Sequence, residues 1–235
     1  MNFFEEVREY LRINHEAVTD SLVQHIWLAL LPVAIAFVLS LPIGWAVVRF
    51  GWVRHPILTL TSIIYTIPSL ALLLLLPGIL HTSFLDPLNV VVALTIYAVA
   101  IMVRGAADAF GSVSPDVLQS ATAMGNSRLS RFFTVQLPLA GPVLLANLRV
   151  VSVSTISLLS VGAIIGNGGL GYLFTNGYQR DFPEQVLIGI VAILLLALLF
   201  DIVLSIIGRV LMPWSRVRGA RRSRRSRPLT AEVAG

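Results

Sequence analysis

The run GNGGLG at residues 166–171 has the G-x-G-x-x-G spacing with which some proteins bind a dinucleotide. That chemistry requires the glycines to follow a β-strand and to open a helix within a βαβ unit. Here they follow an apolar stretch long enough to cross a membrane, so we reject a nucleotide role. We expect a segment in which the backbone breaks and turns, and four glycines would permit this: Gly166, Gly168, Gly169 and Gly171.

Other residues capable of chemistry are few. The chain has no cysteine, which excludes a thiol nucleophile, a disulfide framework and a thiolate metal site. All 17 basic residues are arginine, and without the lysine that a P-loop places on phosphates the chain is not expected to hydrolyse ATP itself. The four histidines are scattered and predict no metal site. No nucleophile–base pair or carboxylate dyad is evident, so no catalytic residue is predicted and a membrane enzyme is the least favoured class.

The composition is that of an integral membrane protein, with 56% hydrophobic and 12% charged residues. A membrane-crossing helix needs about 20 apolar residues. The sequence therefore predicts an all-α fold of about five transmembrane helices in the cell membrane, the third being the shortest. The first apolar stretch starts too late, and follows residues that are too acidic, for a cleavable signal peptide, so we expect it to be retained as a membrane span. The five stretches are Val23–Val48, Pro56–Leu80, Leu88–Val103, Ala140–Ile165 and Val186–Met212.

Arginine distribution predicts the orientation of these helices, because short cytoplasmic loops are enriched in basic residues. With the N-terminus outside, thirteen of the 17 arginines face the cytoplasm. Residues 1–22 have helical periodicity and predict an amphipathic helix, either on the outer membrane surface or packed on its own protein. The basic tail, 214–235, is expected to be cytoplasmic and disordered, and to bind anionic lipid headgroups and not nucleic acid. The membrane domain is placed at 23–213.

A polar segment at 114–125 interrupts the apolar pattern on the cytoplasmic side. Ser114 suits a helix N-cap, Pro115 the first helical position, and Asp116 the positive end of the helix dipole. Gly125 can end a helix in the left-handed conformation. Since Val117, Leu118, Ala121 and Met124 recur at helical spacing, a short amphipathic helix is predicted.

This segment resembles the EAA loop of ABC-importer permeases, whose pattern is Glu-Ala-Ala, three residues, Gly, nine residues, an aliphatic residue, any residue, and Leu-Pro. The spacing matches throughout, but Gln119 stands where the family usually has Glu, and Ser120 where it usually has Ala. The lost carboxylate puts an ion pair at that position in doubt. The resemblance identifies six residues for coupling to an ATPase: Gln119, Ser120, Ala121, Gly125, Leu137 and Pro138.

The resemblance implies a type I ABC-importer permease fold. It also implies partners: ABC ATPase subunits, which hold the ATP and magnesium and receive the loop as a coupling helix, a second permease chain, identical or related, and an extracytoplasmic substrate-binding protein. A channel or membrane scaffold without an ATPase is the rival class. No cofactor is expected on this chain.

The resemblance extends to permeases for osmoprotectants. Tyr65–Leu72 reads YTIPSLAL, similar to a signature of that family, and the glycine-rich run, Asp181, and Arg209 followed by Pro213-Trp214 also match. These matches imply import of glycine betaine, carnitine, choline or proline, and make the glycine-rich run an outer gate. A permease for methionine or another amino acid, which shares the coupling loop, is the alternative.

A solute pathway would need polar or aromatic groups at membrane depth. Aromatic faces attract a quaternary ammonium by roughly 0.5–2 kcal/mol, although tyrosines in membrane helices more often serve in packing. Arg149 could line the pathway, or could form a structural ion pair with Asp201 or reach the cytoplasmic interface. The pathway residues suggested by the sequence are Tyr65, Thr66, Pro68, Ser69, Tyr97 and Arg149.

Overall fold

The computed structural model describes residues 3–215 of the 235, and every regular element in that part of the chain is helical. The fold is therefore all-α, as the composition predicts. The tail predicted at 214–235 lies outside the described residues, except that a 3₁₀ turn at Pro213–Ser215 closes the described part.

The first membrane helix begins earlier than the sequence suggests. Helix α1 spans Phe3–Ile13, and after a break at Asn14 helix α2 spans His15–Arg49. The amphipathic segment predicted at 1–22 is thus split between a short helix and the first turns of a long one. Periodicity alone missed the break, because the Asn14 backbone keeps helical hydrogen bonds on both sides, to Tyr10 and from Val18.

Helix α1 is partly held by its own protein. The Tyr10 ring lies 5.6 Å from the Phe182 ring, whereas Phe4 is 80% exposed. On the outer surface of α1, Arg12 forms an ion pair with Glu9 at 2.6 Å, and this hydrogen-bonded guanidinium lowers the pKa of the Glu9 carboxyl. Packing on the protein and an exposed apolar edge therefore coexist on α1.

The second predicted span, Pro56–Leu80, is broken rather than continuous. Helix α3 spans Gly51–Thr66 and α4 spans Ser69–Leu80, and their axes bend by 99°. The break follows from Pro68, since a residue before proline is driven out of the helical region. Ile67 accordingly has φ −64° and ψ 128°.

The third span is longer than predicted. Helix α5 spans Pro87–Gly111, whereas the sequence suggested an end at Val103. The sequence placed the end of the span before Arg104 because a charged residue interrupts the apolar run. In the structure the Arg104 guanidinium donates to Ser62 Oγ on α3 at 2.6 Å, and the small residues after Arg104 are buried, so the helix continues. Asp86 caps the start of α5 by accepting the N–H of Leu88 at 2.9 Å.

The cytoplasmic segment and the fourth span form one connected unit. Helices α6 (Pro115–Ala123) and α7 (Arg128–Arg131) are followed by a π-helical turn at Phe132–Gln136. Helix α8 then spans Leu137–Leu159 and tightens into a 3₁₀ segment at Ser160–Ile165. The stretch from α7 to the 3₁₀ segment is apolar and long enough to cross a membrane as one continuous helical rod.

The last two helices are α9 (Gly171–Gln179) and α10 (Pro183–Leu211). Four helical stretches can each cross a membrane, and the bent α3–α4 pair makes five crossings. The pair must cross, because its start follows the cytoplasmic end of α2 while the loop after it contacts the outer glycine-rich segment through Leu85 and Asn167. Five crossings put the two ends of the described chain on opposite sides, in agreement with the arginine distribution.

Candidate functional site

Helix α6 presents both exposed and buried faces at the cytoplasmic end. Gln119 and Ser120 are exposed, while Ala121 is only 1% exposed. The predicted apolar face is only partly covered, since Val117 is 41% and Met124 76% exposed. Two polar and two apolar positions are therefore available on the surface of this segment, while Ala121 is fixed against the protein.

The two ends of α6 differ in how well the sequence predicted them. Gly125 has φ +86°, and the N–H groups of Asn126 and Gly125 donate to the carbonyls of Ala121 and Thr122. This is the Schellman pattern, so the left-handed helix end is confirmed. Ser114 occupies the N-cap position as predicted, but its hydroxyl makes no capping hydrogen bond, and only its carbonyl takes part in starting the helix, by accepting from the N–H of Leu118.

Side-chain hydrogen bonds tie the end of α6 to α7. Arg131 donates to Thr122 Oγ1 at 2.6 Å. Asn126 donates from Nδ2 to the carbonyl of Ala121 at 3.0 Å and accepts from Ser130 Oγ at 2.9 Å. These bonds make α6, its turn and α7 one brace, so that a displacement of α6 carries α7 with it.

The Leu137-Pro138 pair marks the point where this brace joins the fourth span. Pro138 has no N–H to continue the helical ladder, and the N–H of Leu137 donates to the carbonyl of Phe132, five residues earlier. The Phe132 ring lies 5.6 Å from the Phe110 ring near the end of α5. The two predicted coupling residues therefore lie at a helix irregularity that contacts the neighbouring span.

The outer glycine-rich segment adopts the broken backbone that its sequence predicts. Gly166 has φ +87° and Gly169 has φ +51°. A Cβ atom at Gly171 would lie 2.6 Å from the Ser160 carbonyl oxygen, and one at Gly168 would overlap Ala163. The segment is folded tightly back on the end of the fourth span, and none of these four glycines has room for a larger residue without a shift.

A buried histidine that sequence reasoning missed holds this segment. His25, on α2 and fully buried, lies with Nε2 3.1 Å from the Ile156 carbonyl oxygen and accepts the N–H of Leu170 on Nδ1 at 3.2 Å. The Gly168 carbonyl near Nδ1 already accepts from the Gly171 N–H. We assign the neutral tautomer with the proton on Nε2, because it satisfies both the donor and the acceptor.

We expect His25→Leu to loosen the glycine-rich segment. The substitution leaves the Leu170 N–H and the Ile156 carbonyl without partners, and unsatisfied buried groups cost about 1–3 kcal/mol each. Hydrogen exchange at residues 166–171 should become faster and thermal stability should fall. His55→Leu, at an exposed histidine on α3, is the control and should change neither. Unchanged exchange in His25→Leu would contradict a clamping role.

Three of the suggested pathway residues meet at the break in the second span. Tyr65, Ser69 and Tyr97 line a cavity of about 280 Å³. The two tyrosine rings are edge-to-face with centroids 6.4 Å apart. Two other suggested residues do not line it: the Thr66 hydroxyl bonds to its own helix, and Pro68 forms the turn into α4.

Arg149 lies away from that cavity and is paired. Its Nε and Nη2 atoms each donate to an Asp201 carboxylate oxygen at 2.6 Å, so α8 and α10 are joined by a bidentate ion pair. The side chains are 37% and 31% exposed. Of the alternatives that the sequence left open for Arg149, the ion pair is the one observed.

No group of three histidine or acidic residues in the part of the chain that the structure describes is placed to hold a metal ion. What the geometry provides is a helical membrane domain with a braced cytoplasmic helix at one end and a clamped glycine-rich segment at the other.

Several curated proteins are similar to this chain over most of its length. The osmoprotectant import permease protein OsmW of Salmonella typhimurium is 32% identical over 81% of this chain and 89% of its own. The choline transport system permease protein OpuBB of Bacillus subtilis is 30% identical over 87% of this chain and 93% of its own.

Solved structures share the fold. A structure of the inward-facing MetNI methionine ABC transporter matches with a TM-score of 0.76 at 21% identity, covering 84% of this chain and 97% of the other. An amino acid ABC transporter with histidines matches with a TM-score of 0.69 at 18% identity, over 89% and 98% of the two chains. The predicted type I importer fold is thus confirmed.

A family model described as the binding-protein-dependent transport system inner membrane component matches residues 36–217. The match begins within α2 and covers every later helix of the described chain, including α6 and the glycine-rich segment. Members are multi-pass membrane subunits of transport systems. The chain belongs to this family of binding-protein-dependent transport system inner membrane components.

Proposed function

We propose that this chain is the permease subunit of an ABC importer that carries an osmoprotectant, a quaternary amine such as glycine betaine, choline or carnitine, or proline, into the cell. The single observation that carries the proposal is the 32% identity to an osmoprotectant import permease over 81% of the chain. Other relatives carry choline or carnitine in their names as well. Their shared chemistry is a small solute with a quaternary ammonium group.

Methionine or another amino acid is the second candidate substrate. The MetNI structure supports it through shared architecture, but at 21% identity this likeness concerns the fold alone. The relatives with higher identity are named for osmoprotectants and not for methionine. The osmoprotectant class therefore has the better support.

The energy source in this proposal is a separate ATPase that binds α6. The surface that α6 offers, with Gln119, Val117 and Met124 exposed, suits insertion into a groove of a partner. Because the brace from α6 to α7 is hydrogen-bonded and Phe132 contacts Phe110, movement of that partner would reach the fourth and third spans. ATP and magnesium belong to the ATPase.

A complete importer would further contain a second permease chain and an extracytoplasmic binding protein. In the apolar stretch of α10 that can span the membrane, only 17% of the residues are buried within this chain. Most of that helix is therefore left to contact lipid or another subunit. One set of five crossings is small for enclosing a solute path. Two permeases facing each other would form it between them.

Reconstitution tests the proposal. The chain, its ATPase and its binding protein in proteoliposomes should take up labelled glycine betaine, choline or proline only when ATP is supplied. Labelled methionine measures the second candidate in the same vesicles. Uptake of methionine alone would overturn the substrate class, and solute flux that needs neither ATP nor the ATPase would favour a channel.

A further inference from the structure

The cavity at the break between α3 and α4 is lined by aromatic and hydroxyl-bearing residues, whereas apolar residues would be enough for packing. Its lining residues include Tyr65 and Tyr97 and three residues that carry a hydroxyl group, Ser69, Ser154 and Thr155. It lies about 15 Å along α5 from the outer end of that helix, at the rise of 1.5 Å per residue. Aromatic faces and hydroxyl groups are thus collected at membrane depth.

The hydroxyl groups of Ser154 and Thr155 differ in their hydrogen bonding from other hydroxyl groups on the fourth span. Ser152 and Ser160 on the fourth span donate to carbonyls of their own helix, the usual way in which a membrane helix satisfies a hydroxyl. Within residues 3–215, the hydroxyls of Ser154 and Thr155 make no such bond. Thr155 is only 4% exposed, so its free hydroxyl is available chiefly to whatever occupies the cavity.

The cavity is kept open by the broken second span. Tyr97 Oη donates to the Ile67 carbonyl at 2.6 Å, which satisfies a carbonyl freed by the bend before Pro68. The same bond fixes the Tyr97 ring. Tyr65, the next-to-last residue of α3, is 59% exposed and meets Tyr97 edge-to-face.

Among residues 3–215, the part of the chain that the structure describes, no charged residue lines the cavity. The nearest arginine along α8, Arg149, has its charge matched by Asp201. A cation in the cavity would therefore be attracted by the tyrosine faces, which favour positive charge, and would meet no carboxylate that could hold it tightly. The cavity volume, about 280 Å³, lies just below the range of drug-sized pockets and suits a small solute.

From these observations we infer that the Tyr65–Tyr97 cavity is a transit site for the quaternary ammonium group of the transported solute, with Thr155 and Ser154 donating to a carboxylate or hydroxyl of the same solute. The inference rests on the proposed function and adds a contact site within the permease. Weak, uncharged recognition fits transit, because a solute received from a binding protein must also leave.

The test measures binding to the permease–ATPase complex without the binding protein, by ligand-observed NMR. The probes are choline and 3,3-dimethylbutan-1-ol, in which a neutral tert-butyl group replaces the trimethylammonium group. Wild type should prefer choline. Tyr65→Leu should weaken choline binding by about 3- to 30-fold and leave the neutral probe unchanged, whereas Tyr65→Phe should stay within about twofold of wild type.

A second variant examines the hydroxyl side of the cavity. Thr155→Val keeps the shape of the side chain and removes its hydroxyl, so binding of glycine betaine, which has a carboxylate, should weaken at least about threefold. Tetramethylammonium, which has none, should bind as before. Equal losses for both probes would show an effect of packing and not of recognition.

Several outcomes overturn the inference: no binding by wild type, no preference for choline over its neutral analogue, or normal choline binding by Tyr65→Leu. Loss of the second permease or the ATPase from the Tyr65→Leu complex in size-exclusion chromatography would instead make Tyr65 an assembly residue. The proposed function fails separately. If the reconstituted importer moves no osmoprotectant while NMR shows Tyr65-dependent choline binding, only the transport proposal is wrong.

Discussion

Replacing Gly125 with valine is expected to reduce ATP-driven uptake at least about tenfold, since a β-branched residue in the left-handed region costs about 1–3 kcal/mol. Gly125 has φ +86° and ends α6 in a Schellman turn. The strain is relieved if the turn opens, and opening breaks the bonds from Asn126 and Arg131 that brace α6 against α7. The ATPase would then move a helix that no longer moves the membrane domain.

The control for this prediction is Gly125→Asn. A Cβ at Gly125 meets no atom within 4 Å, so valine and asparagine both extend into open space. They differ mainly in backbone preference, because asparagine tolerates the left-handed conformation. Uptake and ATP hydrolysis are measured together in proteoliposomes. We expect hydrolysis to continue in Gly125→Val without matching uptake and Gly125→Asn to resemble wild type; equal defects in both variants would contradict the argument from strain.

Gln119 is the departure from the family pattern that matters most at this surface. It is exposed and offers an amide in place of the usual carboxylate, so it can hydrogen-bond to a partner but cannot form an ion pair. Elsewhere on the segment, Val117 and Met124 add exposed apolar area. Docking of α6 onto the proposed ATPase is therefore expected to rely on shape and apolar contact more than on charge.

The sequence predicted local features of the segment at 114–125 because local residues determine them. Gly125 ends α6 through its own backbone freedom, and Pro115 begins it through a fixed φ angle. Ser114 occupies the predicted N-cap position, but its side-chain hydrogen bond is absent, since a side-chain rotamer also depends on its surroundings. The brace through Arg131 and Thr122 could not be predicted, since it depends on how the turn after α6 directs α7.

The membrane spans also divide into features that local residues determine, which were predicted, and features that distant contacts determine, which were missed. The number of crossings followed from apolar length, but the end of α5 did not, because Arg104 interrupts the hydropathy while its partner Ser62 lies 42 residues away on another helix. Pro68 signalled the break in the second span, although hydropathy runs across it. His25 was missed for a comparable reason: its partners, Ile156 and Leu170, are more than 130 residues distant in sequence.

Arg149 and Asp201 form the contact whose loss should most damage folding in the membrane. Arg149 lies about 18 Å along α8 from Leu137, and Asp201 about 15 Å along α10 from Leu211, so the pair is at similar depth on two antiparallel spans. An arginine at that depth without a partner is strongly disfavoured. The bidentate geometry also fixes the rotation of α10 relative to α8.

Asp201→Leu is therefore expected to lower the yield of folded protein in the membrane by about an order of magnitude, measured by fluorescence-detected chromatography of solubilised membranes. The double variant Arg149→Leu/Asp201→Leu should restore most of the yield, because it removes the unpaired charge. The exchange Arg149→Asp/Asp201→Arg should restore less, since the two side chains differ in length. If the double variant folds but transports poorly, the ion pair also orients the spans during transport; if Asp201→Leu folds as wild type, Arg149 has another partner or reaches water, and the pair is not what holds α10.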